Sequence, residues 1–207
     1  NRALVEDGTN IKVYRLQSGT WSQEGSDIPF FSSIQYYGNG QRRWSKDGSS
    51  FIVSSAYHTD IIKIYYWTGT DWQQRGLDLS FTQVRSIDIN QNGTKFTMID
   101  GSGSSRILRT YVWDGTSWQE ATQISNAFSC NMSADGNRLA VRNSPPVIGD
   151  PVTIRVYDWS GTHWINQTLI SNDSFSAGEF SGDGNALFVA DSIHNMQVYF
   201  WDGLSWQ

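Results

Sequence analysis

The sequence predicts an all-β protein, a β-propeller built from four-stranded antiparallel blades, and three observations carry that reading. A paired-tryptophan unit recurs, its second Trp falling at Trp21, Trp72, Trp118, Trp164 and Trp206, at intervals of 51, 46, 46 and 42 residues. Between successive units lies an Asp-Gly or Asn-Gly turn signal followed by a short apolar run. The intervening stretches alternate with a period of two, and none sustains the 3.6 periodicity of a helix. Four short strands repeated every 40 to 50 residues form a propeller blade, with a solenoid of stacked hairpins as the alternative. About five repeats are present, as part of a longer or closed array.

The whole chain, 1–207, forms one propeller region, with blades at 1–30 (partial), 31–79, 80–125, 126–171 and 172–207 (partial). Each full repeat reads as strands A to D. Strand A leads into the Asp-Gly turn, B follows it, C carries Tyr-x-Trp, and D begins at the second Trp. The first blade opens at strand B (Arg2 to Glu6) and continues through Lys12-Val-Tyr14 to Trp21. In the second, Trp44 lies on strand A, Asp47-Gly48 makes the turn, and Phe51-Ile-Val53 and Lys63-Ile-Tyr65-Tyr-Trp67 supply B and C. The third places Ile89, Asn92-Gly93, Phe96-Thr-Met98 and Arg109-Thr-Tyr111-Val-Trp113 in the same succession. Met132, Asp135-Gly136, Leu139-Ala-Val141 and Arg155-Val-Tyr157-Asp-Trp159 follow in the fourth. Phe180, Asp183-Gly184, Leu187 to Ala190 and Gln197-Val-Tyr199-Phe-Trp201 follow in the fifth. Each Asp/Asn-Gly pair is expected to form a two-residue type I′ hairpin, because glycine and Asn/Asp tolerate positive φ. The phase of the repeat, opening on B and closing on D, suggests a slice of a longer array or a ring whose missing strand comes from elsewhere.

Composition agrees with sheets buried on both faces. Charged residues make up only 17% of the chain, and 10 Trp equal 10 Phe. Nine of the ten tryptophans belong to the repeat unit, so they read as packing between blades and across hairpins rather than as sugar-stacking platforms. A net charge of −5 offers no basic field for a phosphate backbone, which argues against nucleic-acid binding. No window approaches a membrane-spanning apolar run, so no direct membrane insertion is expected. Cys130 is the lone cysteine and has neither a disulfide partner nor a metal-ligand spacing.

The unit Val-Tyr-x-Trp-x-Gly-Thr-x-Trp followed by Ser-x-Asp-Gly-x-x-Leu-x-Val resembles the β-propeller repeats of the FG-GAP and integrin-α type. The resemblance covers essentially the whole chain. It implies a module of a large secreted or surface protein, extracellular or on a cell or virion surface, acting in adhesion, recognition or assembly. Two features depart from that family: the Phe-Gly/Gly-Ala-Pro pair is missing, and Ser181-Gly-Asp183-Gly-Asn185 offers one carboxylate where the family's calcium loop needs several.

Catalytic motifs are absent in contiguous form. His58, His163 and His194 show no ligand spacing, and there is neither a Gly-x-Ser-x-Gly elbow nor a phosphate-cradling loop. Asp88-x-Asn90-x-Asn92-Gly93 mimics a calcium loop, but Ile99 stands where a bidentate Glu is needed. No metal and no cofactor are therefore implied, and the chain is expected not to be an enzyme. A propeller lectin is the alternative, and a hydrolase with a site at the channel mouth is a weaker one. The basic row Lys12, Lys63, Arg109 and Arg155, two residues before each strand-C Tyr, reads as cations lying across neighbouring aromatics or as an anion-binding ring.

Loop length gives the positional clue. The A–B and C–D turns are nearly uniform, whereas the opposite end carries the expanded loops around 30–40 and 143–151. Binding residues concentrate on such loops over a rigid scaffold. A protein or glycan partner is therefore expected at the B–C/D–A loop face, contacting Tyr36, Tyr37, Asn39, His58, Asp60, Asp150, Asp191 and His194. N-glycosylation sequons begin at Asn92, Asn131, Asn166 and Asn172.

Overall fold

The computed structural model describes residues 1–7, 9–29, 40–55, 60–103, 105–143, 152–171, 175–191 and 196–207. They form five antiparallel sheets and no helix. The first sheet holds β1 (Arg2–Glu6), β2 (Asn10–Gln17), β3 (Thr20–Gln23) and the short β4 (Ile28–Pro29) paired to β2. The second runs β5 (Arg42–Trp44), β6 (Ser50–Ser54), β7 (Asp60–Trp67) and β8 (Trp72–Gln74), with β9 (Leu79–Phe81) also on β7. The third is β10 (Val84–Ile89), β11 (Lys95–Asp100), β12 (Ile107–Trp113) and β13 (Trp118–Ser125). The fourth is β14 (Ala127–Met132), β15 (Arg138–Asn143), β16 (Thr153–Trp159) and β17 (Trp164–Ser171). The fifth is β18 (Phe175–Phe180), β19 (Ala186–Asp191) and β20 (Met196–Phe200), extended by a bridge between Trp201 and Trp206.

Each sheet is a meander in sequence order, as predicted for blades. The first strands β5, β10, β14 and β18 lie against one another from sheet to sheet, which makes them the inner strands around a common axis. Hydrophobic burial is therefore partitioned into slabs between neighbouring sheets. In one slab Ile52, Ile62 and Ile64 of the second sheet meet Phe96, Met98, Tyr111 and Trp118 of the third. In another, Ile99 and Leu108 of the third meet Leu139, Val141 and Trp164 of the fourth. Successive residues of a strand point to opposite faces, so a single strand such as β11 feeds two slabs. This explains why the strands read as apolar on both sides.

The tryptophan pairs sit across their hairpins as expected. Trp67–Trp72 and Trp113–Trp118 have ring centroids 5.4 Å apart, and Trp159–Trp164 4.9 Å. The cations that hold them come from a different position than the sequence suggested. Arg2, Lys95 and Arg138, each at or near the start of strand B, reach into the next sheet. Arg2 Nη1 donates to the Gly48 carbonyl at 2.7 Å, Lys95 Nζ to Gly136 at 2.7 Å and Arg138 Nη1 to Gly184 at 2.7 Å. The same three groups lie over Trp72 at 5.2 Å, Trp159 at 4.1 Å and Trp201 at 4.8 Å. Each such cation–π contact contributes about 0.5–2 kcal/mol, more as it is desolvated. Burial brings the Lys95 ammonium down to about 8, against the pull of Asp135. By contrast Lys12, Lys63 and Arg109 face carboxylates: Lys12 pairs with Asp7 at 2.9 Å, Lys63 with Asp78 at 3.5 Å and Arg109 with Glu120 at 2.8 Å. The expectation that this row lies on aromatic rings is corrected for those three.

The Asp-Gly turns also differ from the expected two-residue type I′ form. Only the glycine takes positive φ, +71° at Gly48 and +74° at Gly136, while Asp47 and Asp135 do not. Gly136 N donates to the Ser133 carbonyl at 2.9 Å, closing a four-residue turn. Within it the Ser133 hydroxyl donates to Asp135 Oδ1 at 2.5 Å, and Asn137 N donates to the same oxygen at 2.9 Å. The serine of Ser-x-Asp-Gly is thus part of the turn, which favours the longer form over a bare Asp-Gly hairpin.

Candidate functional site at the loop end of the inner strands

Three of the four inner strands share an irregularity near their first residues. Strand register shifts between Val84 and Ser86 in β10, between Ala127 and Ser129 in β14, and between Phe175 and Ala177 in β18. A bulge therefore inserts Arg85, Phe128 and Ser176 at the same place in three successive sheets, at the end that carries the B–C and D–A connections. A bulged residue is released from the ladder and its side chain is re-aimed. Arg85 and Phe128 are both exposed, Phe128 by 42%.

Two arginines converge on Phe128 from different sheets. Arg106, just before β12, places its guanidinium carbon 4.3 Å from the ring centroid, and Arg142 of β15 places its own at 4.4 Å. Arg106 Nε is buried with no hydrogen-bond partner among the described residues. Burial, reinforced by the charge of Arg106, lowers Arg142 from its ordinary value. Two like charges on one aromatic ring, with a polar hydrogen unsatisfied, form an arrangement that an anion would stabilise. Asp100 closes β11 opposite Val84 and Ile107, one residue from Arg85 and Arg106 respectively. Its carboxylate accepts from Gln83 N at 2.9 Å and lies 3.8 Å from Arg109 Nε.

Further along the inner strands a second set of polar groups crosses between sheets. Asp88 Oδ2 accepts from Met132 N at 2.7 Å, and Asn131 Oδ1 accepts from Phe180 N at 2.9 Å. Arg43 and Glu179 stand at the equivalent positions and are exposed. Burial pushes the Asp88 carboxyl upward, opposed by the Met132 and Ile89 amides. Cys130 lies beside it, its sulfur 3.6 Å from Thr97 Oγ1, and burial together with Asp88 raises the thiol to about 12. A thiol held protonated in this way is a poor nucleophile.

Of the residues nominated from sequence, Tyr36, Tyr37, Asn39, His58, Asp150, His194 and Asn172 lie outside the described residues. Asp60 is buried, and its Oδ2 accepts from Val84 N at 2.5 Å, tying the second sheet to the third. Asp191 ends β19 at the loop end. Asn92 and Asn166 are exposed, while Asn131 is half-buried in the inter-sheet contact just described. The oxygens of Asn90 and Asn92 are taken up by their own turn, both accepting from Thr94 N. Among the described residues no group of three or more His, Cys, Asp or Glu side chains is placed to hold a metal. Sequence reading missed Arg85, Arg106, Phe128 and Arg142. The extra residue of each bulge was the available signal, since it offsets the alternation at the start of strand A by one.

No family profile matches the chain, and no curated protein matches it. Solved structures do. A Bacteroides fragilis protein whose assignment as a 6-phosphogluconolactonase is itself provisional superposes with a TM-score of 0.60 at 13% identity, over 99% of this chain and 67% of its own. The likeness establishes the propeller fold. A similarly assigned protein from Bacteroides uniformis gives 0.57 at 13% identity, over 99% of this chain and 68% of its own. A protein from Lactobacillus plantarum gives 0.59 at 13% identity, over 96% and 63%. The chain thus spans about two thirds of the length of these structures. These neighbours overturn the expectation of a non-enzymatic module for adhesion, recognition or assembly. The physical reason is visible in the fold: residues far apart in sequence, such as Arg106, Phe128 and Arg142, converge at the inner rim. The absence of a contiguous catalytic motif therefore carries no weight against an enzyme.

Proposed function

We propose that the chain is a hydrolase of the lactone-opening class, acting on an anionic sugar lactone at the loop end of the inner strands. The observation that carries this reading is the convergence of Arg106 and Arg142 on Phe128; Arg85, exposed at the bulge of β10, and Asp100, at the end of β11, stand at the same loop end. The provisional assignment of two structural neighbours as 6-phosphogluconolactonases supports the choice of substrate class. In this reading the paired guanidiniums bind the anionic group and Arg85 polarises the lactone carbonyl. Water adds to the carbonyl carbon, and Asp100 takes its proton and returns it to the ring oxygen as the C–O bond breaks. The product is the open-chain hydroxy acid.

The test is a lactonase assay with phosphorylated and unphosphorylated aldonolactones, corrected for spontaneous opening. Turnover of the phosphorylated substrate is expected, with Arg142→Ala raising KM by about tenfold or more, as loss of a charge-assisted contact predicts. No turnover above the spontaneous rate with any lactone would overturn the reading.

A further inference from the structure

The first two sheets part at their outer strands to leave a cleft of about 280 Å³, close to the smallest volumes that hold a small molecule, roughly 300 Å³. β4 and the Asp27 carboxylate form one wall, and Lys63 and Tyr65 of β7 with Asp71 and Trp72 at the turn into β8 form the other. In the next gap, between the second and third sheets, the equivalent donors are served by a side chain. There Glu120, opposite Tyr111 on the paired strand, accepts from Arg109 Nη1 at 2.8 Å and from the Tyr111 hydroxyl at 3.1 Å. In the second sheet the residue opposite Tyr65 is Gln74. Its amide turns to the loop that follows its own strand, donating to the Gly76 carbonyl at 3.1 Å and to Asp78 Oδ1 at 2.8 Å. Tyr65 is only 6% exposed, yet its hydroxyl makes no hydrogen bond among the described residues. The Trp72 indole N–H is also without an acceptor among them, whereas Trp118 Nε1 donates to the Arg75 carbonyl at 2.8 Å. Donors outnumber acceptors here because the carboxylate that serves the next gap is missing from this one.

From this we infer that the cleft binds a small amino acid, whose carboxylate takes the place that Glu120 holds in the next gap. Lys63 and the Tyr65 hydroxyl donate to that carboxylate, as Arg109 and Tyr111 do to Glu120. The other end of the ligand is set by charge. Asp27 and Asp71 line the cleft against one lysine, and Lys63 already stands 3.5 Å from Asp78 Oδ2. A bare carboxylate would add to that negative excess, whereas an ammonium group beside it is attracted to Asp27 and Asp71. The Asp71 carboxyl is held below its ordinary value by the Ser26 and Trp72 amides, so it keeps its charge. Burial, reinforced by Asp78, raises the Tyr65 phenol to about 12, so it stays a donor. The cleft lies apart from the inner rim and is independent of the lactonase reading.

Calorimetric titration of the 207-residue chain with glycine, L-alanine and L-leucine tests this. Propionate and ethylammonium, alanine without its ammonium and without its carboxylate, serve as the comparison. One-to-one binding of at least one amino acid is expected, tighter than that of either half. Tyr65→Phe keeps the ring stacked on Phe51 at 5.1 Å and removes the hydroxyl. It is expected to weaken binding about tenfold or more, as loss of a hydrogen bond to a charged group predicts. Gln74→Glu supplies the missing carboxylate from within and is expected to abolish binding while the melting curve shows a folded chain. No binding of any of the three amino acids at millimolar concentration would overturn the inference, as would propionate binding as tightly as they do. Undiminished binding by folded Gln74→Glu would overturn it too.

Discussion

Asp88 and Asn131 occupy the same place in consecutive sheets and do the same job, each accepting from a backbone N–H of the next inner strand. Only one of them carries a charge. Burial raises the Asp88 carboxyl, so the folded state holds its proton to higher pH than the unfolded chain does. Its contribution to stability is therefore greatest at low pH and is lost as pH rises through the folded value. Asp88→Asn keeps the acceptor and removes the charge, as Asn131 already demonstrates one sheet on. It is expected to raise Tm at neutral pH by about 2–4 °C, equivalent to roughly 1 kcal/mol in a domain of this size. Thermal melts at pH 7 and pH 4 check this, since the gain should shrink at the lower pH. From the sequence, Asp88 was legible only as the first residue of a false calcium loop. Spacing along one strand says nothing about an amide presented by another strand 44 residues later.

At the level of strands and turns, the repeat transmits its information well because each feature is local. The Trp-to-Trp hairpin, the Tyr on strand C and the Asp/Asn-Gly turn all depend on residues within a few positions of one another. Inter-sheet features were harder to read. The cation over each tryptophan pair comes from the preceding repeat, at Arg2, Lys95 and Arg138, and Ser50 and Ala186 break that pattern in the second and fifth sheets. Where Ser50 stands, Arg75 donates instead to the Gly93 carbonyl at 2.5 Å. Gly76 shows how close the sheets come. It has φ of +78°, and a Cβ there would meet Trp113 and Trp118 ring carbons at 2.9 Å. Gly115 has φ of +106° with nothing within 4 Å of its added Cβ. Gly76→Ala should therefore cost clearly more than the roughly 1–2 kcal/mol of backbone strain that Gly115→Ala incurs. Urea titration of the two variants separates steric overlap from strain, and equal losses would show that the sheets yield.

Across the whole molecule, the acid response should be set by the turns. The Asp114 carboxylate is held well below its usual range by the Ser117 and Thr116 amides, and Asp202 is lowered by the Ser205 and Leu204 amides. Asp71 is lowered by the Ser26 and Trp72 amides. Groups lowered on folding stabilise above their unfolded value near 3.9, and that contribution is lost as pH falls through it towards the folded value. Tm is expected to be nearly flat from neutral pH to about 5 and to fall below about 4. The fall should be shallower in an Asp114→Asn, Asp202→Asn double variant, and an unchanged acid limb would show that other groups set it. The architecture at this scale was legible because repetition multiplies a weak local signal five times. The site was not, because its residues are those that break the repetition: Arg106, Arg142 and the bulged Arg85 and Phe128.

Those bulges have an evolutionary consequence. An extra residue that sits outside the ladder can be exchanged without shifting the register of its strand or the slab behind it. Arg, Phe and Ser already occupy it in three neighbouring sheets. A saturation library at 85, 128 and 176 should therefore be unusually rich in folded members, and selection on it could retarget the rim while leaving the scaffold's inheritance intact.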